Sequence, residues 1–197
     1  MSLGRVIVRE LARPSWLTGR AMNLSNAKIN QQAIELLQPA SEHRVLEVGF
    51  GGGAALTQLA ARARWVAGID PSSAAVRAAR KRLHSEIAAG RAQIREAAVE
   101  QIPFGAGCFD RAISVNTIYF WSNPDAGLRE IRRVLKPGGR LVIATELRRI
   151  PKRIAASGFT TYTEADQAEM LGKAGLSNVR LERRGPFVFA TAARREQ

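Results

Sequence analysis

Arg44-Val45-Leu46-Glu47-Val48-Gly49-Phe50-Gly51-Gly52-Gly53, followed by Trp65-Val66-Ala67-Gly68-Ile69-Asp70-Pro71-Ser72, is the stretch whose reading decides the fold. Val45, Leu46 and Val48 form the apolar burst of a strand buried on both faces. The glycines that follow let the backbone turn tightly and approach a ligand with no Cβ in the way, and the ligand then sits at a helix N-terminus. A second apolar strand ends in Asp70, whose carboxylate can accept both hydroxyls of a ribose held over the glycine turn. The two turns together read as a nucleoside-cofactor pocket.

Gly49, Gly51 and Ala54 also satisfy the G-x-G-x-x-G/A pattern of dinucleotide-binding folds, with an acid at about the expected distance. Glu47 argues against a dinucleotide. Two residues before the first glycine, its charge faces a pyrophosphate unfavourably but can hold a cation. The end of the chain argues the same way, since a dehydrogenase is expected to continue with a further parallel strand and a substrate domain.

Working outward, apolar strands alternate with amphipathic helices as a doubly wound α/β domain requires. The pattern predicts helices over 26–37, 53–63, 73–88, 124–135 and 164–173. Ile29, Ala33, Ile34 and Leu37 share one face of the first, and Asn123 and Thr163 cap the last two. Strands are expected over 92–96, 111–116, 140–145, 179–183 and 187–192, the last two across Gly185-Pro186. The result is a Rossmann-like seven-stranded sheet with an antiparallel C-terminal edge hairpin. Residues 1–29 read as an N-terminal arm or lid, and 30–197 as the cofactor-binding domain.

From about Asn30 onward the chain resembles the class I S-adenosylmethionine-dependent methyltransferases, of the small, single-domain type. The residues that carry the resemblance are the Glu47-to-Gly53 run and Asp70, then Ile102-Pro103-Phe104 with Cys108-Phe109-Asp110, and Arg133-Val134-Leu135-Lys136-Pro137-Gly138-Gly139-Arg140-Leu141. The resemblance implies S-adenosylmethionine as cofactor and S-adenosylhomocysteine as product. It puts the amino end of the cofactor on Glu47, the methionine part on Gly49, Phe50, Gly51 and Gly53, and the ribose on Asp70 beside Pro71. One position departs from the family: Ala98 stands where an acid often meets the adenine amino group. That contact then falls to the backbone N–H of Val99, because Glu100 comes two positions late.

Methyl transfer from a sulfonium is an in-line displacement with an activated leaving group, so alignment of the acceptor supplies much of the rate. No catalytic residue need stand out. A base is needed only where the acceptor must lose a proton. Substrates of open α/β sheets lie over the carboxyl ends of the strands. The segment after the fourth strand therefore offers Asn116 toward the cofactor and Tyr119 and Trp121 as walls of an acceptor pocket, unless the aromatics pack under the next helix. The segment after the fifth strand offers Glu146 as a possible base and Arg149 in the basic run Arg148-Arg149-Ile150-Pro151-Lys152-Arg153. Such a run suits an anionic acceptor, or an acidic membrane surface presenting a lipid-like one.

Composition sets the remaining bounds. The chain has 197 residues and a formal charge of +13, a sign that favours anionic partners, although arginines on solvated helix faces account for it equally well. A single cysteine, Cys108, excludes an internal disulfide, and His43 and His84 have no cysteine partners for a zinc cluster. No metal is expected. No apolar stretch of about eighteen residues and no signal-peptide pattern is present, so the expected location is cytoplasmic. No Asn/Asp-Pro-Pro-Tyr/Phe motif is present to orient a base amine, so nucleic acid is the less favoured acceptor. Small-molecule or lipid-like methylation is the leading reading. RNA methylation through the basic surface, and cofactor binding without catalysis, are the alternatives; the motifs set no oligomeric state.

Overall fold

The computed structural model describes residues 16–146 and 162–196. One seven-stranded sheet forms the centre, with strand order β3-β2-β1-β4-β5-β7-β6. Strands β1 (Arg44–Val48), β2 (Trp65–Asp70), β3 (Ala92–Glu96), β4 (Phe109–Val115) and β5 (Leu135–Glu146) run parallel. The last two, β6 (Leu176–Arg184) and β7 (Phe187–Arg194), form the expected hairpin, and β7 pairs antiparallel with β5. The sheet is thus Rossmann-like, and β1 lies where the strand order reverses.

Helices cover both faces. On one, α1 (Trp16–Leu37), α2 (Ala54–Ala60) and α3 (Ser73–Arg82) pack a core that includes Ile29, Ile34, Leu37, Leu56 and Val76. On the other, α5 (Pro124–Val134) and α6 (Glu164–Lys173) bury Leu128, Ile131, Val134 and Leu171. The short α4 (His84–Ala88) follows α3. The face of α1 read from the sequence is fully buried at Ile29, Ala33, Ile34 and Leu37. The caps also form: Asn123 Oδ1 accepts the N–H of Ala126 at 3.0 Å, and Thr163 and Asp166 make a reciprocal capping box.

Several boundaries differ from the sequence pattern. Helix α1 begins at Trp16, ten residues before the expected start, because no proline from Leu17 to Ser25 stops it and the single Gly19 is tolerated; the division placed at residue 29 falls inside it. The predicted helix over 73–88 is broken at Leu83 (φ −103°, ψ 25°), whose side chain remains in the core. Strand β5 begins at Leu135 rather than Arg140. The Pro137-Gly138-Gly139 turn, with Gly138 at φ +72°, is a bulge inside that strand, and pairing resumes at Arg140 opposite Arg111. No described helix is long and apolar enough to cross a membrane. The arm before Trp16 and the basic run 148–153, with Arg149, lie outside the described residues.

Candidate active site

Strand β1 lies between β2 and β4 and is buried from Val45 to Val48, so Glu47 enters the core with only 4% of its surface exposed. Its Oε2 has no hydrogen-bond partner. Burial first, and then the charge of Asp70, pushes its pKa up to about 8 from an ordinary 4.5. Burial therefore favours the neutral form of cofactor-free Glu47, and a nearby cation would favour the ionised one.

The turn after β1 passes through the left-handed region three times, at Gly49 (φ +73°), Gly51 (φ +47°) and Gly53 (φ +71°). Gly49 donates its N–H to Ile69 O at 2.8 Å and Gly53 donates to Phe50 O at 2.7 Å. The Phe50 side chain turns away from the turn into the core. A Cβ on Gly68 would stand 2.7 Å from its ring, so Gly68 is the space that admits Phe50. Only the backbone of Phe50 is left for a ligand.

Asp70, at the end of β2, is 7% exposed and already works as a clamp. Its Oδ2 accepts the N–H of Gly51 at 2.8 Å and its Oδ1 accepts that of Ser72 at 2.9 Å. Each oxygen keeps a second lone pair, so holding the turn does not prevent it from accepting ribose hydroxyls. Burial raises its pKa, and the two N–H donors oppose that rise. Pro71 is exposed beside it.

At the far side of the site, Ala98 is exposed and Val99 is buried at the start of a 3-10 turn. Glu100 turns toward α5, where its Oε1 accepts the N–H of Asn123 at 2.9 Å. It does not replace the acid missing at Ala98.

Asn116 sits just past β4 at φ +56° and ties three segments together. Its Nδ2 donates to Asn26 Oδ1 of α1 at 3.1 Å, while its Oδ1 accepts from the Tyr119 hydroxyl at 3.1 Å and from Glu146 N at 2.8 Å. The structure thus brings Asn116, Tyr119 and Glu146 together at the carboxyl ends of β4 and β5. Trp121 is separate: it packs against Gly127 of α5 and donates its Nε1–H to Thr117 at 3.2 Å. Between them Phe120 is 50% exposed and stacks edge-on against Tyr119 at 5.9 Å. Phe120 and Thr117 were not singled out from the sequence. The aromatic run was visible there, but which ring faces outward depends on the turn that carries it.

The glycine turn over a buried acid, closed by a second acid at the end of the next strand, defines a nucleoside-cofactor enzyme of the α/β class. A family model described as a methyltransferase domain matches residues 46–143. The uncharacterized methyltransferase YdaC of Bacillus subtilis (strain 168) is 32% identical over 134 residues, 67% of this chain and 72% of that protein. The ubiquinone/menaquinone biosynthesis C-methyltransferase UbiE of Geotalea daltonii is 34% identical over 114 residues, 56% of this chain and 48% of that protein, so the chain spans less than half its length. Among solved structures, a SAM-dependent methyltransferase from Aquifex aeolicus superposes with a TM-score of 0.73 at 20% identity, covering 96% of this chain and 97% of that one. The chain belongs to the methyltransferase-domain family, in the class I S-adenosylmethionine-dependent group.

Proposed function

We propose that the chain moves the methyl group of S-adenosylmethionine to a small-molecule or lipid-like acceptor. In this reading Glu47 and the turn 49–53 hold the amino-acid part of the cofactor, Asp70 holds the ribose, and Pro71 with residues 98–99 borders the base. The observation that carries it is the Glu47 carboxylate, buried in β1 with one oxygen unpartnered beside a second buried carboxylate. Ionisation of such a pair is opposed by a pyrophosphate and favoured by a cation. The residues therefore fit a cofactor bearing an ammonium and a sulfonium.

When bound, S-adenosylmethionine supplies a methyl group on a sulfur that is already a good leaving group. The chain's own contribution is orientation, which at effective molarities of roughly 10⁵ M or more accounts for several kcal/mol. We assign Glu146, half-buried at the end of β5, as the candidate base for an acceptor that must lose a proton. Phe120 offers an apolar wall at the same end of the sheet. That wall, and the likeness to a C-methyltransferase named for quinone biosynthesis, support an organic or lipid-like acceptor over RNA. Arg149 and its basic neighbours are assigned to an anionic group on the acceptor or to an acidic membrane surface bearing it.

Calorimetry with S-adenosylmethionine and with a nicotinamide dinucleotide tests the cofactor: the first should bind and the second should not. Transfer of labelled methyl groups from S-adenosylmethionine into fractionated cell extract tests the acceptor. Label is expected among small molecules or lipids. Label in RNA, with salt-sensitive RNA binding, replaces the reading with RNA methylation, and cofactor binding without transfer to any fraction replaces it with a non-catalytic role.

A further inference from the structure

Thr117 lies where three parts of the candidate site meet. A Cβ built on Gly49 would stand 2.5 Å from Thr117 Cγ2 and 2.9 Å from Thr117 Cβ, so the threonine methyl lies directly against the first glycine of the cofactor turn. The hydroxyl of the same side chain bonds to Ser114 Oγ, whose residue is fully buried, and accepts the indole N–H of Trp121 at 3.2 Å. Two partners on Oγ1 fix the rotamer of a β-branched side chain, and a fixed rotamer fixes the direction of the methyl. Beyond Trp121 the contacts continue. A Cβ on Gly127 would meet the Trp121 ring at 3.1 Å and Val99 Cγ1 at 2.9 Å, so the indole and the Val99 side chain close on one point of α5. Val99 belongs to the turn assigned above to the base of the cofactor. A packed path therefore runs from Gly49 through Thr117 and Trp121 to Gly127, which Val99 also meets.

We propose that Thr117 is a positioning residue for the cofactor, and that Trp121 couples the two ends of the cofactor site through it. The proposal rests on the S-adenosylmethionine reading of that site. It gives Trp121 a part in holding the cofactor turns, in place of a wall of the acceptor pocket. Thr117 acts through Gly49: its methyl keeps the first glycine in the left-handed region, where the Gly49 N–H reaches Ile69 O. Without that methyl the turn gains room to relax, as a core does when a buried methyl is removed.

The test uses the 197-residue chain with Trp16→Phe and Trp65→Phe, which leaves Trp121 as its one remaining indole. Saturating S-adenosylmethionine should shift the emission of Trp121. Thr117→Ser keeps the hydroxyl and deletes the methyl; it should weaken cofactor binding about fivefold by calorimetry, with the emission response retained. Thr117→Val keeps a methyl toward Gly49 and deletes the hydroxyl, and should abolish the emission response. Thermal melts separate these effects from unfolding, because a purely structural role lowers the melting temperature without splitting the two readouts between the two variants. A Trp121 emission indifferent to bound cofactor, or Thr117→Ser binding within about twofold of its parent, overturns the proposal and leaves the cofactor reading in place. A parent protein that binds no S-adenosylmethionine overturns both.

Discussion

The two ends of the sheet treat their charges in opposite ways. At the amino end, Asp110 accepts from Arg44 N at 2.8 Å and from Lys136 Nζ at 2.7 Å, and Arg44 lies over the Trp65 ring at 4.1 Å. Nearby, Arg133 donates to Ile102 O and Phe104 O, each at 2.9 Å, and forms a two-pronged pair with Glu130, which in turn accepts the Ile102 N–H at 2.9 Å. Burial alone would raise the pKa of Asp110, but the Arg44 N–H and the Lys136 ammonium outweigh it and hold the pKa below its usual value. At the carboxyl end, Glu47 and Asp70 are raised, and Glu47 keeps an unpartnered oxygen. One end uses its charges to hold the fold together. The other keeps two buried carboxylates with raised pKa, one of them left with an unpartnered oxygen, an arrangement consistent with the proposed cation-bearing cofactor.

Mutation of the carboxyl end should show this division most clearly. Gly49→Ala places a Cβ 2.5 Å from Thr117 at φ +73°, and should lower stability by about 3 kcal/mol in urea melts, combining strain and overpacking. Asp70→Ala removes the acceptor of two N–H groups and the proposed ribose contact, and should weaken S-adenosylmethionine binding by about 1.5 to 3 kcal/mol. An unchanged dissociation constant would remove Asp70 from the site.

The pH dependence should distinguish the two ends. Glu47 has a pKa near 4.5 in the unfolded chain and about 8 in the folded one, so the folded state holds the extra proton. Its contribution to the stability of the cofactor-free protein is complete below 4.5 and is lost as pH rises toward about 8. Glu47→Gln should remove that slope. Cofactor binding should run the other way, since a bound ammonium needs the ionised carboxylate: affinity should approach a tenfold gain per pH unit below about 8, with proton release in calorimetry. Asp110 contributes with the opposite sign, its stabilisation present above 3.8 and lost as pH falls through its lowered folded value.

The smallest expected effect belongs to the amino end. Arg133→Ala should cost about 1 kcal/mol of stability, because the guanidinium is partly solvated, and should leave the cofactor dissociation constant within about twofold. A large loss of cofactor affinity in that variant would show that the two ends are not separate.

The motifs that carried the family resemblance divide along the same line. Glu47, the glycines and Asp70 meet at the site, whereas Asp110, Arg133 and Lys136, equally visible in the sequence, join at the opposite end. Strand β3 and helix α6 were legible to the residue, from a short apolar run and a threonine cap with an acid three positions on. The start of β5 was not, because a Pro-Gly-Gly turn reads as a break and only pairing with β4 shows that the strand spans it.

The sequence by itself determined the alternation of strands and helices, the glycine turn and the two acids, because local backbone preferences and burial periodicity are written residue by residue. The tertiary structure alone decided which way each side chain turned: Phe50 into the core behind Gly68, Phe120 outward, Trp121 onto α5, and Thr117 against Gly49. Those directions are set by contacts between different segments of the fold, from Trp121 on nearby Gly127 to Thr117 on distant Gly49, and the periodicity of a single segment does not encode them.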